Sequence, residues 1–521
     1  MKIRTKRKPI YKQMAFETAV RSPERYIGFL TALKDFEGQI LNDKSLLEMV
    51  SHLYLTGEVS SNKIKITETT KIEDIKEKVI ELNSTRRADG GFPAGYQSRF
   101  WTYMRTLSEL GFVYAQYGEE LKFSDIAKML INRKIDEQEA FSIQAMKYNR
   151  KSPYRNVSND FNFFRFMLGV LLALRAKKQR LSYEQFIIAM LSKNGDINNF
   201  LSIIKENRFK DYDDVYNFAR TRFGVTARFK TVINDYPDVV RRLFIISGFI
   251  TIRYSGKKLI EINENKLEYI QDLLKSDFLF SDEEKTIPQN YFDKLNTNTE
   301  EFLSIARQYE EADKIDGKVY VNKIFSIIAN YKIDENIILK SIEKIGSRTV
   351  IIEEFKEIPE PLKLEFYISI LVALKYGREF AIRPNYKTDH IGKPYSHAPG
   401  NIGDIEIYSS KIYWLIEVTL IRNKTQQLNH ETTSVIRHLY SNDEFKSHFI
   451  KYLSFVAPTV HEDTKEFYDI SIVKNQKKGF RVNLKPYSIN EFVEVTREKE
   501  NFDDMEAYTK SVISDFRSQL T

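Results

Sequence analysis

The chain has 521 residues, 42% hydrophobic and 29% charged, with a formal net charge of +8 and no cysteine. That length exceeds one ordinary core and predicts about two to four domains; the missing cysteines exclude disulfides and cysteine–zinc sites and fit a reducing interior. No run of about 18 apolar residues offers a membrane span, so a cytoplasmic protein without a membrane partner is expected.

Residues 1–8 are basic but lack an apolar stretch behind them, which does not read as a secretory signal. The charge is uneven. Residues 346–521 hold about 24 basic and 25 acidic side chains, so the basic excess lies in the first two thirds. Such an excess is the footprint of a polyanion partner. The histidines run the other way: only His52 is early, while His390, His397, His430, His438, His448 and His461 gather late.

In chain order, Ser22 and Pro23 predict a helix start, with serine as the cap and proline in the first turn. Residues 97–123 predict an amphipathic helix ending at Gly111, then a strand from Phe112, a turn at Gly118 and a second strand through Phe123. The same order returns 137 residues later: a helix over 238–247, Gly248-Phe249, a strand to Tyr254, a turn at Ser255-Gly256 and a strand over 259–262. Two copies of a helix followed by a hairpin predict two winged-helix modules, which place a helix in the major groove and a wing on the backbone of DNA.

A basic, aromatic, glycine-containing stretch stands before each hairpin. The first holds Arg86 and Arg87 with Arg99 and Arg105, and the second holds Arg220 and Arg222 with Arg228 and Lys230. Arginine reads guanine edges, and both residue types hold phosphates, so these eight are the candidate DNA-binding residues. Residues 161–174 and 183–191 have helical periodicity and predict the core of the second module. Residues 264–345 read as polar helices, with a loop over 276–299 marked by Pro288.

The last region begins near Gly346. Pro359, Glu360 and Pro361 predict a helix start, and residues 362–376 continue almost wholly apolar, with Glu365 the lone acid inside. A helix apolar all round is buried, so Glu365 needs either the helix dipole or a metal-centred acid cluster. Next, Asp404 opens the alternating run Ile405-Glu406-Ile407-Tyr408, Ser409-Ser410 break it, and residues 411–419 form a buried strand. A two-residue turn at Ser409-Ser410 would set Tyr408 opposite Lys411 and Asp404 opposite Leu415, with Glu417 diagonal to Asp404. Two carboxylates on one sheet face repel unless a cation lies between them, and Mg²⁺ takes carboxylate, water and phosphate ligands. Both acids could also be plain solvated edge residues, although Glu417 sits between Ile416 and Val418, where a buried charge needs a partner. Asn429 predicts a helix cap; Glu431 and His438, seven residues apart, share a face of the helix that follows. Further strands are expected over 452–457 and 480–484.

An acid on a helix, then Asp404, then Glu417 thirteen residues on, resembles the PD-(D/E)XK nuclease core, with Gly403 where that pattern has proline and Thr419 where it has lysine. The wider wording H-A-P-G-N-I-G-D-I-E-I, I-E-V-T and E-T-T-S-V-I-R-H-L-Y resembles the catalytic domain of the AlwI family of type IIS restriction endonucleases and their strand-nicking relatives. Residues 22–38, 455–458 and 481–484 also resemble that family's amino-terminal and closing segments. The resemblance implies Glu365, Asp404, Glu417 and Glu431 as the acidic catalytic positions. It implies His438 as a supporting histidine bonded to Glu431 or phosphate, and the carbonyl of Val418 as a further metal ligand beside Asp404 and Glu417. His397 and Asn401 are expected to shape the loop before Asp404.

The expected fold is α+β and multidomain: two winged-helix-like modules (1–150 and 151–285), a helical linker (286–345), and an α/β PD-(D/E)XK-like nuclease domain with a mixed central sheet (346–521). The expected function is a Mg²⁺-dependent type IIS endonuclease. It would bind an asymmetric site in double-stranded DNA and cut at a fixed distance outside it, within a restriction–modification system that includes a DNA methyltransferase. A transient homodimer or a second nuclease subunit would supply the second cut. A nicking enzyme of the same family and a winged-helix regulator without catalysis are the alternatives.

Overall fold

The computed structural model describes residues 16–519 of the protein, apart from residues 68, 84–94, 156, 158, 255, 310–315, 348, 399–401, 423–426, 428–432, 442–449, 477–480 and 500. The chain is a mixed α+β protein in two units, residues 1–309 and 310–521.

In the first unit the helix–hairpin pattern occurs twice, nearly bond for bond. Helix Gly95–Glu109 is closed by Gly111 at φ 73°, where the amides of Gly111 and Phe112 bond back to the carbonyls of Ser108 and Leu107. Helix Tyr236–Ile246 is closed by Gly248 at φ 70°, where the amides of Gly248 and Phe249 bond back to Ile245 and Phe244. Only glycine takes that left-handed closing position without strain. Both phenylalanines are fully buried. Their carbonyls accept the amides of Ser124 and Asn263 from the far strand of each hairpin. Ser124 and Asn263 then cap the next helical turns, accepting from Ala127 and Asn265.

The hairpins themselves pair antiparallel, Val113–Tyr114 with Lys122–Phe123 and Ile250–Tyr254 with Lys258–Ile262. The repeat also reaches further back than its sequence pattern indicates. Residues 38–41 lie along 119–121, and Leu181–Ser182 pairs with 259–260. Each of these third strands runs straight into a helix opened by a capping box, Asn42 with Ser45 and Ser182 with Gln185.

One apolar core runs through both repeats, from Phe16 to Ala306. It carries cations against helix C-termini. Arg150 Nη1 donates to the Met190 carbonyl (2.6 Å), Arg165 Nε to that of Met146 (2.7 Å), and Lys147 Nζ to those of Leu295 and Thr297 (3.2 and 2.8 Å). The last carbonyls of a helix lack intrahelical partners and carry partial negative charge. Burial still pushes the Lys147 ammonium down to about 7.

Three local expectations shift. Ser22 and Pro23 form a turn that bonds to Arg25 and Tyr26, and the helix proper is Arg25–Leu33. Pro288 opens a helix, Pro288–Leu295, instead of marking a loop, because proline suits a first turn. The helices expected as a separate connector over 286–345 divide between the two units. Pro288–Leu295 and Thr299–Gln308 bury Tyr291, Leu295, Phe302 and Leu303 in the first core, while those after residue 316 bury Tyr320, Ile324 and Ile338 in the second.

The second unit contains α1 (Gly317–Tyr331), α2 (Glu335–Glu343), α3 (Glu360–Tyr376), β1 (Ala381–Pro384), β2 (Lys387–Thr388), β3 (Pro394–Ser396), β4 (Ile405–Tyr408), β5 (Ile412–Val418), α4 (Thr433–Ser441), β6 (Ile450–Ala457), α5 (Glu462–Gln476), β7 (Arg481–Ser488), α6 (Ile489–Glu498) and α7 (Phe502–Gln519). β7, β6, β5, β4 and β1 form a five-stranded sheet in that order. β1, β4 and β5 run antiparallel, and β5, β6 and β7 run parallel. Parallel neighbours require a crossover, and α4 and α5 supply one each. Both cover the face that shows Tyr413 and Leu415. The opposite face, showing Trp414 and Ile416, packs on α3 and α6.

The β4–β5 register differs from the expected one. Tyr408 pairs with Tyr413, Ile407 with Trp414, Glu406 with Leu415 and Ile405 with Ile416. The connection is wider because the Ser409 amide bonds to the Ile412 carbonyl, and its hydroxyl accepts from the Lys411 and Ile412 amides. The slip is two residues, so every side chain keeps its face. Carried one step further, the register sets Asp404 level with Glu417 instead of diagonal to it.

Candidate active site

β5 shows alternate residues to alternate faces, so Glu417 follows Tyr413 and Leu415 onto the face covered by α4. On α4, Val435, His438 and Leu439 are spaced to share the buried side of the helix. His438 Nδ1 thus meets Glu417 Oε1 at 2.8 Å, and both groups are buried. His438 was expected to bond Glu431 or phosphate; its carboxylate partner here is Glu417. Glu431 lies outside the described residues, as does Asn401.

Asp404 stands just before β4 and is half-buried. Its Oδ2 accepts the Val418 amide at 2.8 Å, which ties it to the residue after Glu417. The backbone at 403–404 is clamped by Asn385, whose amide donates to the Asp404 carbonyl (2.8 Å) and whose Nδ2 donates to the Gly403 carbonyl (2.7 Å). A Cβ on Gly403 would lie 2.4 Å from Leu415 Cδ1 and 2.8 Å from Glu417 Oε1. Gly403 therefore lets the Asp404 strand close onto the Glu417 carboxylate, a space that a proline ring would fill. Asn385 carries no motif in the sequence; its role follows from the β1–β4 pairing alone.

Glu365 is buried in α3, and its Oε1 lies 2.5 Å from His397 Nδ1. Its Oε2 is buried with no hydrogen-bond partner among the described residues. His397 was expected only to shape a loop; it is the group that meets the lone acid of the apolar helix. A third acid, Glu406, is fully buried on the Glu417 face, where Arg383 Nε (2.7 Å) and the Tyr413 hydroxyl (2.9 Å) donate to its two oxygens. Burial, and then the Glu406 charge, push the Tyr413 hydroxyl well above its usual range, which keeps it a donor.

Among the described residues, no three histidine, aspartate or glutamate side chains stand close enough together to enclose an ion. Glu365 is engaged by His397 through α3, on the far side of the sheet from α4, and Glu431, the fourth acid of the expected cluster, lies outside the described residues. What the fold brings together is the pair Asp404 and Glu417. Their donor set suits a hard cation that keeps several waters, because Mg²⁺ needs only one or two protein carboxylates.

The eight basic candidates fall into three groups. Arg86 and Arg87 lie outside the described residues. Arg99 is half-buried beside Tyr54 and Tyr103, and Arg105 Nη1 pairs with Glu17 Oε2 at 3.3 Å. Arg220 and Arg222, on helix Tyr212–Phe223, and Arg228 and Lys230, just beyond it, are exposed.

The sequence model of the AlwI restriction endonuclease family matches residues 108–306 and 293–495. No curated protein matches the chain. Among solved structures, the small subunit of the heterodimeric restriction endonuclease R.BspD6I aligns at 18% identity, over 34% of this chain and 87% of its own, with a TM-score of 0.27. The BpuJ1 endonuclease binding domain, in complex with pyrene- and phenanthrene-modified DNA, aligns at 12% identity over 55% and 98%, with a TM-score of 0.33. The restriction endonuclease FokI bound to DNA aligns at 10% identity over 97% and 98%, with a TM-score of 0.24.

Proposed function

We propose, on the premise that this chain belongs to the AlwI restriction endonuclease family, that it is a type IIS DNA endonuclease whose cutting centre is the Asp404–Glu417 pair. Family membership makes it a DNA-cleaving hydrolase; the offset cut, the metal and the residue roles are the proposal. The observation that carries it is the bond from the Val418 amide to the Asp404 carboxylate, next to a β4–β5 register that, carried one residue past Ile405–Ile416, brings Asp404 level with Glu417.

Asp404 and Glu417, with the Val418 carbonyl, would hold Mg²⁺. When bound, the ion supplies a water of lowered pKa and polarises the phosphate. This chain's own residues do the rest. His438 holds Glu417 from α4 and fixes its orientation, as imidazoles behind metal-ligating carboxylates do. Asn385 fixes the Asp404 backbone. Glu365, on the α3 side of the sheet, has one carboxylate oxygen without a hydrogen-bond partner among the described residues and takes no part in holding the ion. The orientation of the carboxylates is thereby set before DNA arrives, which is where most of the catalytic benefit of such a site originates.

The first unit, with its two winged-helix-like repeats, would bind the duplex. Reader and cutter lie in different units, and that separation would displace the cut from the site. One carboxylate pair cuts one strand, so a double-strand break would need a second copy or a nuclease partner, and a single copy would nick. Sequencing the ends of digested plasmid would give site, offset and strand number together. Asp404→Ala is the direct test: plasmid cleavage in Mg²⁺ should be lost and duplex binding kept. Normal cutting by that variant would remove the assignment.

A further inference from the structure

Helix Tyr212–Phe223 and the segment that follows it carry a group of exposed basic side chains. Arg220, Arg222, Arg228 and Lys230 are exposed there, and none of them forms an ion pair among the described residues. The acids of that helix, Asp213 and Asp214, lie in its first turn, at the opposite end from Arg220 and Arg222. Between Arg228 and Lys230 in the chain stands a large apolar ring, Phe229, still 37% exposed.

Phe229 is not a loosely placed side chain. Its ring packs edge-on against Tyr216, with centroids 5.3 Å apart and planes at 71°. Tyr216 is itself fixed, because its hydroxyl donates to the Ala227 carbonyl at 3.0 Å. The Arg220 guanidinium also lies against Tyr216, 5.8 Å from the ring centroid. Tyr216 thus joins Arg220 and Phe229, with Arg228 and Lys230 next to Phe229 in the chain and Arg222 two residues beyond Arg220. Directly after Lys230 the helix winds as a π-turn, Thr231–Asp235, before continuing as Tyr236–Ile246 into the second hairpin. π-turns inside helices concentrate at functional sites. The corresponding helix of the first repeat, Gly95–Glu109, is α-helical throughout.

A held, exposed aromatic ring between unpaired cations fits a polyanion with flat apolar faces inside it. Cations hold phosphates at a fixed spacing, and apolar side chains wedge between base steps and kink the duplex. We propose that Phe229 is such a wedge, entering a base step of duplex DNA while Arg220, Arg222, Arg228 and Lys230 hold the phosphates on either side. The inference rests on the reading of the first unit as the DNA-binding part. It adds that this segment deforms the duplex as well as contacting it.

The test uses the full chain carrying Asp404→Ala, so that DNA is bound and not cut, and a duplex spanning a mapped cleavage position with 2-aminopurine at successive steps. The Asp404→Ala chain should raise 2-aminopurine fluorescence at one step. Adding Phe229→Ala should abolish that rise and weaken binding about 5- to 150-fold, the range of base–aromatic stacking, while the salt dependence of binding stays the same. Phe229→Trp should restore both, which separates a lost ring from a damaged fold. Arg220→Gln with Lys230→Gln should instead lower the slope of log K against log salt by about 1.8. If Phe229→Ala keeps the fluorescence rise and the affinity, the wedge is overturned and the DNA-binding reading stands. If the Asp404→Ala chain binds no duplex at all, both fall.

Discussion

The two units treat buried charge differently. In the first, Lys147, Arg150 and Arg165 are spent on carbonyls at helix C-termini, and the buried acid Glu109 is met by Arg155. Such charges are consumed by the fold. In the second unit the buried acids divide. Glu406 has a donor on each oxygen, Arg383 and Tyr413, and is also consumed. Glu365 and Glu417 are each met by one histidine, at 2.5 and 2.8 Å. Glu406 thus has a side-chain donor on each oxygen, whereas Glu365 has one oxygen without a hydrogen-bond partner among the described residues. On the proposed reading, Glu406 serves the fold and Glu417 the chemistry.

That contrast can be broken at several points. The largest effect is expected at the pair itself. Asp404→Ala or Glu417→Ala should lower the rate of plasmid cleavage by about 10³-fold or more, since metal polarisation of phosphate is worth several kcal/mol and each 1.36 kcal/mol is tenfold. Gel shifts on a duplex should show binding intact. By contrast Glu406→Gln with Arg383→Met should show up mainly in stability; if it abolished cutting in a folded protein, the division between the acids would be wrong.

Next comes His438→Ala. Loss of a group that orients a ligand typically costs about 10- to 100-fold in metal affinity or activity. The variant should need more Mg²⁺ for half-maximal cleavage, and a titration in which only the maximal rate fell would count against an orienting role.

A smaller loss is expected for Asn385→Ala, which removes the Nδ2 donor to the Gly403 carbonyl and keeps the backbone amide bond to Asp404. Such a bond contributes about 0.5–1.5 kcal/mol, so cutting should fall about 2- to 10-fold while the urea midpoint moves little. Unchanged cutting would mean that β4 holds Asp404 without the clamp.

The last test lies in the first unit. The Lys147 ammonium is pushed down to about 7 by burial. Between about pH 7 and 10.5 the unfolded chain keeps a proton on this residue that the folded chain releases, so its contribution to stability rises with pH across that window. Urea unfolding of wild type and Lys147→Met at pH 7 and 10 should show a rise in wild type that the variant lacks, on the order of a few kcal/mol. Parallel curves would mean that the Leu295 and Thr297 carbonyls hold the lysine charged.

Much of this was legible before any coordinates. Gly111-Phe112 and Gly248-Phe249 announced the repeat because a left-handed helix end selects glycine and a buried position selects an aromatic. The alternation through Tyr413, Leu415 and Glu417 fixed the face of the acid, since side chains in a strand have period two. The β4–β5 register was missed by two residues because a hairpin loop is set by local serine hydrogen bonds that leave no composition signal. Asn385, the His397 contact and the Glu406 partners were not legible either: each joins residues that adjoin only after β1 pairs with β4 or α3 packs on the sheet.

Local periodicity, glycine placement and the lone polar residues in apolar runs determined by themselves which elements form, which faces are buried and which acids require a partner. These depend on neighbours within a few residues, so they are written in the chain. The tertiary structure alone decided which partner each acid received, and hence that Glu406 is consumed while Asp404 and Glu417 come level beside an imidazole. That outcome depends on distances across paired strands and packed helices, which no local pattern encodes.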